Sequence, residues 1–184
     1  MKVEAIKGWS DLISAWVTTL GLIGGGCFGL VEYASKNRSE EIKTALTFLD
    51  RYDQAPYLEA HEHVFDVWYS TAFIDRLQVE AGKGSNGDVR AFLLRSVEEG
   101  KLEADINRLI EFYDGLSACT CGGACDADTV MRLFRQHAAD LNGNAFPYIA
   151  EQRKRSRDRL IGSGLHSIAI SHNEKELKAA CPQK

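Results

Sequence analysis

The sequence predicts an all-α chain, with an N-terminal transmembrane helix at residues 12–33 followed by a helical bundle domain. Three observations carry that expectation. Twenty positions from Leu12 to Val31 hold no charge. Beyond them, apolar side chains recur at three- and four-residue spacing, and no strand-like alternation of convincing length occurs. Only 3 prolines interrupt 184 residues, so long helices meet few forced breaks. The domain plan is a flank at 1–11, the span at 12–33, a helical domain at 34–164 and a C-terminal tail at 165–184.

Composition sets the outer bounds. With 45% hydrophobic and 26% charged residues, the chain suits one compact domain with an appendage rather than a disordered segment. Its 22 basic and 26 acidic residues leave a formal charge of −4. That balance carries no broad electrostatic footprint, so no nucleic-acid partner is expected. No internal repeat or low-complexity tract is present.

At about 1.5 Å rise per residue, the uncharged run from Leu12 to Val31 reaches roughly the 30 Å thickness of a bilayer core. Asp11 and Glu32 bound it, and Trp9, Trp16 and Tyr33 fall where interfacial aromatics sit. A cleaved signal peptide would show a shorter apolar core and small residues at a cleavage point. Lys2 and Lys7 precede the span, while Lys36, Arg38 and Lys43 follow it, a bias that places the C-terminal domain in the cytoplasm. Gly21, Gly25 and Gly29 lie along one face of the span, where small residues let two helices approach closely. The partners this suggests are membrane lipid and another membrane protein, or a second copy, held through that glycine strip.

The soluble part reads as successive helices. Ile42, Ala45, Leu46, Leu49 and Tyr52 form an amphipathic stripe, which Pro56 ends. Pro56 opens a helix carrying Leu58, His61, Phe65, Trp68 and Ala72 that runs to about Glu80, and the glycine-rich stretch from Gly82 to Gly87 is a loop. A short helix from Asp88 to about Glu98 precedes a stronger one on Ile106, Leu109, Ile110, Tyr113 and Leu116. Cys119 to Cys125 forms a turn, and Asp126 stands as the N-cap of a helix bearing Val130, Leu133, Phe134, His137 and Leu141. Asn142-Gly143-Asn144 ends that helix, Pro147 opens the last one, and Gly162 and Gly164 mark its end.

The stretch Ile110-Glu111-Phe112-Tyr113, the turn closing on Asp126, and Phe146-Pro147-Tyr148-Ile149 followed by Arg153 resemble the bacterial proteins of domain of unknown function 4760. The resemblance is specific from about Asn107 to Arg153. It implies a small inner-membrane protein with one membrane span and a helical cytoplasmic domain, and it implies no activity. The cysteine-rich turn departs from the aliphatic and basic turn of that family.

Several constellations invite chemistry. Cys119, Cys121 and Cys125 place three thiols in seven residues, a set that zinc or an iron–sulfur cluster would complete with His137, Cys181 or Asp128. The paired C-x-x-C spacing of structural zinc sites is absent, and small loop residues are the plainer reading. His61 and His63 point in different directions on a helix, so His61 reads as a core histidine and His63 as a surface one. Arg153, Lys154, Arg155, Arg157 and Arg159 form a basic run, either a solvated face or a contact with anionic headgroups. Gly82-x-Gly84-x-x-Gly87 lacks the preceding strand that would make it a dinucleotide fingerprint. No set of acid, base and nucleophile emerges. The expected function is an accessory, scaffolding or interaction subunit of a membrane complex, without a cofactor. The alternative is a thiol-ligated zinc or iron–sulfur protein.

Overall fold

In the computed structural model the described residues are 35–181. The chain divides into two units, Met1–Glu40 and Glu41–Lys184. Of the first only 35–40 are described, as helix, and everything below concerns the second. In the second unit helix α1 covers 41–52. It is followed by α2 (Tyr57–Trp68), α3 (Thr71–Gly82), α4 (Asn86–Glu99), α5 (Glu103–Cys121), α6 (Ala127–Ser156), α7 (Ser163–Ile170) and α8 (Glu174–Ala179).

The all-α part of the expectation stands and the transmembrane part is corrected. No helix among the described residues is long and apolar enough to cross a membrane. The longest, α6, has Arg132, Arg135, Asp140, Glu151 and Arg153 around it, so its apolar residues form a stripe suited to a protein core and not to lipid. Residues 12–33, with Gly21, Gly25 and Gly29, lie outside the described residues, and the single-pass membrane architecture finds no support in the helices that are described.

Helix α1 buries Ala45 and Tyr52, while Leu46, expected on the same stripe, is 42% exposed. Phe48 turns inward instead, its ring 5.8 Å from that of Phe112. The helix expected from Pro56 to Glu80 is two helices. Ser70 sits in extended geometry and its hydroxyl accepts from the Phe73 N–H, capping α3. The same hydroxyl donates to the Val67 carbonyl at 2.8 Å, closing α2. One serine thus serves both helix ends. Helices α3 and α4 then form a hairpin, with the Phe73 and Phe92 rings 5.2 Å apart.

Helix α5 is the central element, and Ile106, Leu109, Ile110, Tyr113 and Leu116 are all buried as their spacing predicts. Around it Tyr52, Phe112, Tyr113 and Phe134 form a cluster with ring centroids 5.0 to 6.5 Å apart. Asp126 caps α6, its carboxylate accepting from the Thr129 N–H at 2.9 Å and from the Thr129 hydroxyl at 2.7 Å.

Helix α6 does not stop at Asn142-Gly143-Asn144. It continues for 30 residues with Pro147 inside it. An internal proline costs about 3 kcal/mol through its lost hydrogen bond and its clash with the carbonyl four residues back. Here that residue is Gly143, beside which there is open space. Ala145, Pro147, Tyr148 and Ile149 are buried across the break, and the Tyr148 hydroxyl donates to Asn107 Oδ1 at 3.2 Å. Those gains offset the local loss.

The segment that follows holds α7 and α8, and Leu165 and Ile168 of α7 and Leu177 of α8 are fully buried. Arg135 of α6 holds the link between those two helices, its Nε donating to the Ser171 carbonyl at 2.7 Å.

Candidate functional site

The C-terminal half of α5, α7 and the end of α8 enclose a groove with a volume of about 690 Å³. Two features fix its walls. First, the Asp114 carboxylate of α5 reaches the start of α7, where it accepts from the N–H groups of Gly162 (2.8 Å), Gly164 (2.7 Å) and Leu165 (3.1 Å). An anion there satisfies donors that the helix itself leaves unpaired. Gly162, at φ +69°, supplies the turn into α7. Gly164 lets the helices touch: a Cβ at that position would lie 2.7 Å from the Asp114 Cα and 2.7 Å from the Ser117 Cβ.

Second, the cysteines are paired. Cys119 is bonded to Cys125 across six residues of sequence, with Cα atoms 5.3 Å apart. Cys121 is bonded to Cys181 across sixty, with Cα atoms 5.4 Å apart, tying the end of α8 to the end of α5. The expected turn is therefore shorter than drawn, since α5 continues through Cys121.

This pairing bears on the thiol-metal reading. Cys119, Cys121 and Cys125 are all spent on sulfur–sulfur bonds, and a thiolate site would need those bonds reduced first. His137 does not join them. It lies on α6 with its ring 5.3 Å from that of His61 and 6.3 Å from that of Tyr52. Among the described residues no group of three or more His, Cys, Asp or Glu side chains is placed to hold a metal ion.

The aromatic and histidine side chains between α1, α2, α5 and α6 form a second polar cluster. Burial pushes the Tyr52 phenol up to about 12, against a partly compensating hydrogen bond with Tyr113, whose hydroxyl lies 3.5 Å away. Burial also raises Tyr113 well above its ordinary value, and Tyr52 beside it adds to the shift. His61 is held below its ordinary value, first by burial and then by His137. Its Nε2 is enclosed without a hydrogen-bond partner, which favours the neutral ring. His63 is exposed and pairs with Asp105 at 2.7 Å, so the two histidines separate as their helical positions require.

The basic run is not one surface. Arg153 turns back to donate from Nε to the Ile161 carbonyl at 2.7 Å, and Arg155 lies 3.6 Å from Glu151. Arg157 ends α6 in the left-handed region at φ +59°. Lys154, Arg157 and Arg159 are exposed. Elsewhere, Asp75, Arg76, Glu80, Arg95 and Glu99 line a smaller groove of about 350 Å³ between α3 and α4.

Sequence reasoning missed Asp114 and Gly164, which lie fifty residues apart. The available signal was the Gly162-x-Gly164 pair before an apolar run, which marks a close backbone approach as well as it marks a helix end. Comparison with family models, with curated proteins and with solved structures finds no match.

Proposed function

We propose that this chain acts by binding, as an interaction subunit whose receiving surface is the groove between α5, α7 and α8. The observation that supports this reading is the groove's construction. Its lining is made of small side chains, among them Ala118, Gly122, Gly164 and Ala180, and Leu160 at its rim is 71% exposed. Small residues on walls fixed in place by a disulfide and by Asp114 leave room for a bulky side chain from outside. Because the walls are already in place, little ordering cost falls on the binding step.

The chemistry of the occupant follows from the lining. Among the described residues Asp114 is the one charged side chain in the lining, and both of its oxygens are occupied by backbone N–H groups. The remaining polar side chains are the hydroxyls of Ser117, Ser163 and Ser167, and among the described residues no histidine lines the groove to act as their base. A neutral, apolar side chain of a protein partner fits that surface, and a charged small molecule does not.

The test is a titration with N-acetyl-leucinamide and N-acetyl-tryptophanamide followed by amide chemical shifts. Saturable shifts should fall on 117–122, 160–167 and 180. They should vanish in Ala118→Trp, which fills the groove from an exposed position and should melt like the parent. Shifts confined to the α3–α4 groove, or no saturable shift up to tens of millimolar ligand, would refute the reading; even the weakest specific complexes, of about millimolar Kd, saturate in that range.

A further inference from the structure

We infer that the Cys121–Cys181 disulfide is a thiol-exchange site that opens and closes one wall of the groove. The inference rests on the binding reading only for its purpose, since the opening itself can be measured without a ligand.

The two disulfides differ in access. Cys125 is 2% exposed, so the Cys119–Cys125 bond can be attacked only at Cys119, which is half-exposed. Cys121 and Cys181 are both half-exposed, and Cys121 is itself part of the groove lining. A thiol entering the groove therefore meets this bond.

The bond also holds something that little else holds. Ala180 lines the groove, and its N–H bonds back to the Glu176 carbonyl within its own helix. The Cys181 N–H bonds back to Lys178 in the same way. Helix α8 is six residues long and buries Leu177 alone. Cys181 is thus the tie between the end of this helix and α5, and Ala180 follows wherever it goes.

The reductant is a dithiol. One of its thiolates attacks a sulfur of the pair, the bond between Cys121 and Cys181 breaks, and a mixed disulfide forms while the other cysteine leaves as a thiolate and takes up a proton. The second thiol of the reductant then attacks the mixed disulfide. The dithiol departs as its own disulfide, and both cysteines are left as thiols. One sulfur–sulfur bond is lost from the protein and one is gained by the reductant. The reverse sequence, driven by a disulfide of the same class, closes the wall.

The sequence has 5 cysteines, and the experiment uses the full chain in a Cys27→Ser background so that the cysteine outside these two pairs does not enter the count. The oxidised protein is exposed to graded dithiothreitol, free thiols are alkylated, and labelled positions are mapped by mass spectrometry alongside amide hydrogen exchange. Cys121 and Cys181 should be labelled at a dithiothreitol concentration at least tenfold below that needed for Cys119 and Cys125. At that concentration, exchange at 174–181 should rise at least tenfold while α5 and α6 stay protected. The double variant Cys121→Ser, Cys181→Ser should show the same fast exchange without reductant. Labelling of Cys119 and Cys125 first or together with the other pair overturns the inference, as does exchange at 174–181 that stays at the oxidised level in the reduced protein or in the double variant. Failure of the amide ligands to bind would remove the binding reading and leave these outcomes intact.

Discussion

Replacing Gly164 by alanine tests the close approach of α7 to α5. The added Cβ would lie 2.7 Å from two carbon atoms of α5, one of them the Asp114 Cα, where carbon pairs normally settle at about 3.5–4.0 Å. Helix α7 must therefore retreat by about 1 Å, a gap that forfeits roughly a quarter to a half of the contact energy along the seam. Leu165 and Ile168 are fully buried on that seam. The Asp114 hydrogen bonds to Gly162, Gly164 and Leu165 lengthen with it. Overpacking costs about 1–3 kcal/mol, and weakening hydrogen bonds to a charged acceptor adds about 2 kcal/mol. Alanine returns about 1 kcal/mol through its helix propensity. The net loss is about 2–4 kcal/mol, which for a chain of this size lowers Tm by roughly 10 °C. Calorimetry or urea unfolding reads it, with Gly143→Ala as the control, because open space surrounds that position inside α6 and the change should stabilise by up to about 1 kcal/mol. A Gly164→Ala protein that melts within about 2 °C of the parent, a change of under about 1 kcal/mol, would refute the contact.

Two further outcomes are expected. Lys101, between α4 and α5, has φ +54°, so Lys101→Gly should stabilise by about 0.5–1 kcal/mol once the greater freedom of the unfolded glycine is deducted, read as a higher urea midpoint at unchanged m. His61 is held below its ordinary value in the fold, so below a pH of about 6.5 the unfolded chain takes up the proton more readily than the folded one. Its contribution is present in full above that pH and lost as the pH falls toward the folded value. Melting scans from pH 8 to 5 should show this decline, and His61→Gln should flatten it; parallel curves for the two proteins would count against the buried-ring account.

How far the fold could be read from the sequence depended on whether each signal was local. The α5 stripe was legible because five large apolar residues at one helical spacing admit one burial pattern. The Asp126 cap was legible because its acceptor and its donor are three residues apart. Ser70 was passed over although its signal is equally local, because the apolar spacing from Leu58 to Ala72 ran through it and suggested continuity. Pro147 misled in the opposite way, as its cost is local while the burial that offsets it comes from α5 and α7. The site was mostly beyond reach for the same reason. Three close thiols could be seen, but Cys181 as the partner of Cys121, and Asp114 as the partner of α7, are decided by how distant helices pack.

The bond between Cys121 and Cys181 has a mechanical consequence. It closes α6, α7 and α8 into a covalent ring hung from the end of α5. Tension applied to the chain beyond Cys181 passes through that bond directly into α5 and never loads the hydrogen bonds of the helices inside the ring. A single backbone cut within the ring leaves the two pieces joined. With the bond reduced, the same pull would reach α8 first, where one buried leucine resists it, and then peel α7 from Asp114. The redox state of one bond thus decides whether the molecule behaves under load as a short tether to its central helix or as an extensible one.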